Sequence, residues 1–345
     1  MNDQVTNDFR PAQPLTQPAP AVPPMNVIVP SSWIGAAIDA SPHLHAIVVG
    51  DEGGDALADP GHATTTGGPA TVPPHTPPAR AMISNQHTWA ELEPICAQLP
   101  SIELIQTLSQ GVEFLKGTPE RYRVSNAKGA HGGPTAELAI TLLLALWRHI
   151  PDFVHAQDSG RWLPGGHGRT LRGARLLVLG AGDIAHEFQA RAAGFGATCL
   201  MTGRTARDGI RALADLPALL PRADAVIATL PLNSATRGLV DAAFLARMKD
   251  GATLINVARG AIVDQAALLA ELTAGRLTAG LDVTDPEPLP AGHPLWNAPG
   301  LLISPHAGGA THGVGERALE VAVAQLEQFA AGRLPDNLVK PADLR

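Results

Sequence analysis

The stretch "RLLVLGAGDIAHEFQARAAGFGA" places Gly180 and Gly182 at the end of an apolar run, with Ala185 in the third small position and Ile184, Phe188 and Ala192 following at helical spacing. In such a strand-to-helix turn the first glycine lets the chain reverse sharply. The second lets the backbone approach a pyrophosphate, and the third small residue lets helix pack closely on strand. The helix start then offers unpaired N–H groups and a partial positive charge to phosphates. About twenty residues further on, the second strand of such a unit ordinarily ends in an acid that accepts from the ribose hydroxyls of NAD. Here "CLMTGRTAR" supplies Gly203, Arg204 and Thr205, with Arg207 close by. A ribose 2′-phosphate is attracted by arginine and repelled by a carboxylate, and charge-assisted bonds of this kind contribute roughly 1.5–3 kcal/mol each. The spacing therefore predicts a preference for NADP, with NAD possible, in which Arg204 and Arg207 meet the phosphate and Thr205 assists.

The elements that must hold this loop recur along the chain. From Ala174, "ARLLVLG", "ATCLMTG", "ADAVIATLP", "ATLINVAR", "LTAGLDV" and "LLISPH" are six short apolar runs separated by helical or turn-like sequence, the pattern of a doubly wound parallel sheet. Before it, "MNVIVPSSW", "HAIVVG", "RAMISN" and "IELIQTLS" read as strands and "TWAELEPICAQLP" as a helix, which predicts a second parallel α/β layer. Ala136 to Arg148, free of Gly and Pro and closed by Pro151, reads as a long connecting helix. "GERALEVAVAQLEQFAAG" reads as a C-terminal helix packing back on the first layer. The first 24 residues, rich in proline, read as an extended tail without the pattern of a signal peptide, and Met25 is a candidate translation start. Asp51 to Ala79, dominated by Gly, Pro and Thr, reads as a mobile loop or insertion.

Bulk properties narrow the partners. With 345 residues the chain has room for about two domains. A net charge of −7 argues against a nucleic-acid-binding face, which needs clustered Lys and Arg. The most apolar run, Leu138 to Trp147, is about half of the ~20 residues a membrane helix needs. Cys96 and Cys199 form no CxxC pair, and neither an HExxH motif nor a Cys/His cluster suggests a metal; a reducing cytoplasm fits best. The absence of a GxSxG elbow counts against serine-hydrolase chemistry.

Five stretches in order, "LIQTLSQGVEFL", "LGAGDIA", "TLPLNSATRGLVD", "FLARMKDGATLINVARGAIVDQAAL" and "LDVTDPEPLPAGHPLWNAPGLLISPHAGGAT", resemble the D-isomer-specific 2-hydroxyacid dehydrogenase family. The resemblance covers most of the chain and is poor in its first hundred residues. It implies a Rossmann dinucleotide-binding domain over 126–308 and a flavodoxin-like substrate domain over 25–125 plus 309–345. It also maps a catalytic arginine, glutamate and histidine onto Arg259, Glu287 and His306. Their chemistry suits those roles. A guanidinium can hold the carboxylate of a 2-oxo acid and polarise its carbonyl, an imidazole can protonate the alkoxide left by hydride addition, and a carboxylate beside the imidazole favours its charged form. The resemblance further implies that Asp183 and Ile184 lie beside the pyrophosphate. Leu230, Pro231, Thr236, Val257, Ala258 and Gly308 would line the cofactor cleft, and Asp282 would accept from the nicotinamide carboxamide. Ser109, Gln110 and Gly111 would form the loop that holds the substrate carboxylate, with Arg259 opposite. The family usually forms dimers, and the Leu138 to Trp147 helix suits such an interface or a core.

The expectation is a reductase that moves hydride between NADPH and a small 2-oxo acid, glyoxylate or hydroxypyruvate first, as a homodimer with no nucleic-acid or membrane partner. Two departures bear on it: the nucleotide-loop acid is absent, and the Asp51 to Ala79 stretch replaces sequence on the substrate side. Phosphite-type oxidation on the same scaffold and a non-catalytic nucleotide-sensing protein stay open as alternatives; formate is disfavoured because formate dehydrogenases carry glutamine where Glu287 stands.

Overall fold

Apolar residues that run continuously along a strand need both faces of their sheet covered, and both layers of this chain are built that way. A computed structural model describes residues 23–49, 72–84, 87–164 and 166–344; the expected tail up to residue 22 and most of the Gly/Pro-rich stretch lie outside the described residues. The first layer takes β1 (Met25–Val29), α1 (Ser32–Asp39), β2 (Leu44–Val48), β3 (Ala81–Ser84), α2 (Trp89–Gln98), β4 (Leu104–Thr107) and β5 (Arg123–Ser125). Its strands are all parallel in the order β2-β1-β3-β4-β5, the flavodoxin-like order.

Two helices follow, α3 (Gly132–Trp147) and α4 (Ile150–Asp158). The sequence pattern places α3 over Ala136 to Arg148; the helix ends at Trp147 as that pattern requires, but begins four residues earlier, with Gly132, Gly133 and Pro134 in its first turn. His149 takes φ +57°, and Pro151 sits in the first turn of α4, where its missing N–H costs nothing. The Leu138 to Trp147 run belongs largely to the core, with Ala139, Ile140, Leu142, Leu143 and Trp147 buried against the second layer.

That second layer consists of β6 (Arg175–Leu179), α5 (Asp183–Gly194), β7 (Thr198–Gly203), β8 (Ile210–Ala212), α6 (Leu216–Leu219), β9 (Ala225–Ala228), α7 (Ala242–Arg247), β10 (Thr253–Asn256), α8 (Gln265–Thr273), β11 (Thr278–Leu281) and β12 (Leu301–Ile303). The order is β12-β11-β10-β9-β6-β7-β8, all parallel, which is a Rossmann sheet whose topological switch point lies between the paired strands β6 and β9. The six expected runs are present. A seventh strand, β8, escapes sequence reading because three residues are too short to show a period. Asp241 and Asp264 cap α7 and α8 by accepting from backbone N–H groups at 2.7 and 3.0 Å. Finally α9 (Val314–Ala330) returns to the first sheet, where Ala318, Leu319, Ala322, Leu326 and Phe329 pack with Val27, Ile83 and Leu104.

Candidate active site

The glycine loop follows β6 at the switch point, beside the end of β9. Gly180 has φ +119°, and a Cβ there would stand 2.7 Å from Thr229 Oγ1 and 3.2 Å from Thr229 O, so the sharp turn requires glycine. Gly182 precedes α5, and a Cβ on it would meet no protein atom within 4 Å. Its lack of a side chain answers no internal packing need and leaves the backbone N–H groups of the helix start open to a pyrophosphate. Ala185 is buried against the sheet, and Ile184 packs at its edge. Asp183 begins the helix, but its carboxylate lies against Gly132 at the start of α3, where Oδ2 is buried with no hydrogen-bond partner. That leaves only its backbone, at the helix start, free to face a pyrophosphate. At the end of β7, Gly203 is buried while Arg204, Thr205 and Arg207 are exposed. Among the described residues neither arginine has an acidic partner. A tight turn at Gly209, closed by the reciprocal bonds of Arg207 and Ile210 at 3.0 and 2.8 Å, holds Arg207 in place. These features fit a bound dinucleotide.

Three neighbouring strands of the same sheet carry the expected triad: Arg259 follows β10, Glu287 follows β11 and His306 follows β12. Asn256, wholly buried at the end of β10, donates to Arg259 O at 2.9 Å and accepts from Ala258 N at 3.1 Å, which folds the Val257–Arg259 corner. Gly260 lets this corner touch the next loop, since a Cβ there would fall 1.9 Å from Thr284 O. His306 stands at φ +54° and its Nδ1 lies 2.5 Å from Glu287 Oε1. A carboxylate can only accept, so Nδ1 carries the hydrogen and Nε2 is the nitrogen left for substrate. The bond to Glu287 raises the pKa of His306 above its ordinary 6.5; burial and the Arg259 charge oppose this, while the charges of Glu287 and Asp282 reinforce it.

Asp282 is the hub of the His306 loop. Its buried carboxylate accepts from Ser304 Oγ at 2.6 Å, Ala307 N at 2.8 Å and Gly308 N at 2.9 Å, and its carbonyl accepts from His306 N at 2.8 Å. Three of about four acceptor positions on the carboxylate are thus occupied within the protein. Thr236 behaves similarly: its hydroxyl donates to Pro231 O at 2.6 Å and accepts from Asn233 N at 2.9 Å, bracing the loop that follows buried Leu230.

The first domain contributes the loop Ser109-Gln110-Gly111. Its carbonyls all accept: Ser109 O from Thr107 Oγ1 and Ala127 N, Gln110 O from Asn126 Nδ2, and Gly111 O from Ser109 Oγ. Among the described residues no acceptor takes the N–H groups of these three residues, which leaves them to hold an anion. Gly111 lies directly under the guanidinium of Arg259, and a Cβ there would be 2.0 Å from Nη2. Glu113, not singled out in the sequence, pairs with Arg259 at 2.9 Å.

The model of the D-isomer specific 2-hydroxyacid dehydrogenase NAD binding domain matches residues 140–308. Human glyoxylate reductase/hydroxypyruvate reductase is 33% identical over 228 residues, spanning 61% of this chain and 69% of the human protein. The chain belongs to the D-isomer specific 2-hydroxyacid dehydrogenase family. Glyoxylate reductase from Thermococcus litoralis is 34% identical over 257 residues, 70% of this chain and 77% of that protein. A D-isomer specific 2-hydroxyacid dehydrogenase from Xanthobacter autotrophicus Py2, solved with NADPH and MES, superposes with TM-score 0.74 at 29% identity, covering 92% of this chain and all of that one.

As a member of this dehydrogenase family the chain is an oxidoreductase that uses a nicotinamide cofactor on the 2-hydroxy acid/2-oxo acid pair. Two residues important to the geometry of the dehydrogenase site escape sequence reading. Asn256 leaves a signal, an amide inside the apolar run "ATLINVA"; Glu113 leaves none, since an acid two residues past a loop reads as a solvated turn.

Proposed function

We propose that this dehydrogenase reduces a small 2-oxo acid, with glyoxylate and hydroxypyruvate as first substrates, using NADPH. The observation that carries the reading is the arrangement of Arg259, Glu287 and His306 on three adjacent strand ends, with the His306–Glu287 bond formed and the free N–H groups of Ser109 to Gly111 against Arg259. The names of the human and Thermococcus litoralis relatives support the substrate class. The cofactor, when bound, supplies hydride to the carbonyl carbon. Arg259 and the N–H groups of the loop hold the substrate carboxylate and draw electron density from the ketone. His306 Nε2–H faces the ketone oxygen and delivers its proton there as negative charge develops. Glu287 stabilises the imidazolium beforehand and fixes the ring afterwards. The half-exposed imidazole then recovers its proton from solvent.

Preference for the phosphorylated cofactor follows from exposed Arg204 and Arg207 where a ribose-binding acid would stand. Leu230, Pro231, Val257, Ala258 and Gly308 form the walls of the cofactor cleft in this reading. The enzyme works as a cytoplasmic homodimer. Ile150, Phe153 and Val154 share one face of α4 at 47%, 39% and 49% exposure, and Trp162 nearby in the chain is 95% exposed, an apolar surface suited to a second copy. Light scattering would report a dimer that F153D separates. Both cysteines are free thiols, and among the described residues no helix is long and apolar enough to cross a membrane.

The deciding experiment follows nicotinamide absorbance with glyoxylate, hydroxypyruvate and larger 2-oxo acids against NADPH and NADH. Turnover of the small acids with NADPH is expected, lowered by a factor of about 10²–10⁴ in His306→Ala. Cofactor binding without turnover of any acid would favour a nucleotide-sensing role instead.

A further inference from the structure

Glu113 has no part in the chemistry above, yet its carboxylate occupies the side edge of Arg259: Nε donates to Oε1 at 2.9 Å and Nη2 to Oε2 at 3.3 Å. Nη1 donates to Ala258 O at 2.7 Å. A guanidinium has five N–H donors, so one on Nη1 and one on Nη2 remain, side by side on the end edge. The pair also joins the two domains, because Glu113 follows the substrate loop of the first sheet and Arg259 follows β10 of the second. Burial would push the Glu113 carboxyl up, but the charge and hydrogen bonds of Arg259, with the N–H groups of Glu113 and Val112, hold it below the ordinary carboxylate range. It is ionised at neutral pH. Glu113 therefore cancels Arg259, Glu287 cancels protonated His306, and the four side chains around an anion-binding site sum to no net charge.

We propose that Glu113 is a positioning and specificity-determining residue: it turns the end edge of Arg259 toward the substrate and restricts the site to 2-oxo acids whose only anionic group is the carboxylate held there. The proposal rests on the 2-oxo acid reading given above. A second anionic group would meet the Glu113 carboxylate while the charges of Arg259 and His306 are already balanced, and like charges at such range weaken binding by roughly tenfold.

Oxamate and oxalate test this, being nearly isosteric anions that differ by one charge. Calorimetry would measure both affinities on the NADPH-loaded full chain. In Glu113→Gln the ratio of oxalate to oxamate affinity should rise about tenfold over the unaltered protein. Glu113→Asp, which keeps the charge on a shorter stem, should weaken both ligands yet leave the ratio within about threefold, as a charge-based filter requires. An unmoved ratio in Glu113→Gln, or an equal rise in Glu113→Asp, overturns the proposal alone. If the unaltered protein binds neither anion and reduces no 2-oxo acid, the substrate reading falls and takes this proposal with it.

Discussion

Replacing Gly111 by alanine should cripple turnover while sparing the fold. The added Cβ would stand 2.0 Å from Arg259 Nη2, 3.2 Å from its Cζ and 2.7 Å from Glu113 Oε2. Ordinary contact begins near 3.4 Å, so the guanidinium must withdraw by about 1.4 Å. Gly111 does not lie at positive φ, and the atoms in the way are the far ends of two flexible side chains rather than backbone. Relief is therefore cheap for the fold. The loss falls on alignment instead, because Arg259 can no longer present its end edge beside the N–H groups of the loop. A misplacement of about 1 Å at a reacting centre costs on the order of 10²-fold in rate, or about 2.7 kcal/mol of activation free energy. Steady-state kinetics with glyoxylate and NADPH should show kcat/KM falling by that order, with the midpoint of thermal unfolding within about 3 °C of the unaltered protein. Binding of NADPH, seated on the other domain, should hold. A kcat/KM within threefold of the starting enzyme would refute the claim that the guanidinium acts from its place over Gly111.

Because Glu287 raises the pKa of His306, the imidazolium needed for reduction persists above pH 6.5 and is lost only as pH climbs through the raised value. Glu287→Gln should move the alkaline limb of the kcat/KM profile for reduction to lower pH, and a limb that stays put would show that the 2.5 Å contact does not tune the acid. Replacing both Arg204 and Arg207 with alanine should weaken NADPH by about two to four powers of ten in Kd while NADH changes less than about threefold; fluorescence titration showing equal losses for the two would remove the phosphate assignment. Gly180→Ala places a side chain at φ +119° and 2.7 Å from Thr229 Oγ1, a strain of roughly 1–3 kcal/mol. Calorimetry should register it as a fall in the unfolding midpoint, and an unchanged midpoint would mean that the turn relaxes freely.

The second domain could be read from sequence because its determinants are local. Gly180, Gly182 and Ala185 obey backbone and packing limits within one turn, and the strands around them are apolar on both faces. Elements defined by their pairing partners rather than by a period of their own are not legible. The strand β8 is three residues long and exists because Met201, Thr202 and Gly203 pair with it; β5 likewise depends on β4 and on the bridge from Ser125 to Leu338. The start of α3 is read at Ala136, but Gly132, Gly133 and Pro134 form its first turn, since a proline that the helix interior excludes is welcome at a helix start. At the site, residue type suggested roles that hydrogen bonding redistributes. Asp282, expected to accept from a carboxamide, also organises the loop bearing His306 through its carboxylate. Glu113 lies 146 residues from the arginine it meets, a separation at which no local pattern can signal the pair.

The hub at Asp282 has a consequence for how the enzyme could wear or be redesigned. Its three acceptances lock the histidine to the same scaffold that bears the arginine and the glutamate, so the proton donor and its partner travel together as one machined part. What must be brought to them is the amide loop from the opposite side. A shift of the first sheet against the second would therefore spoil the grip on the carboxylate long before it disturbed the acid, and an engineer could exchange the loop for another recognition surface without retuning the proton chemistry.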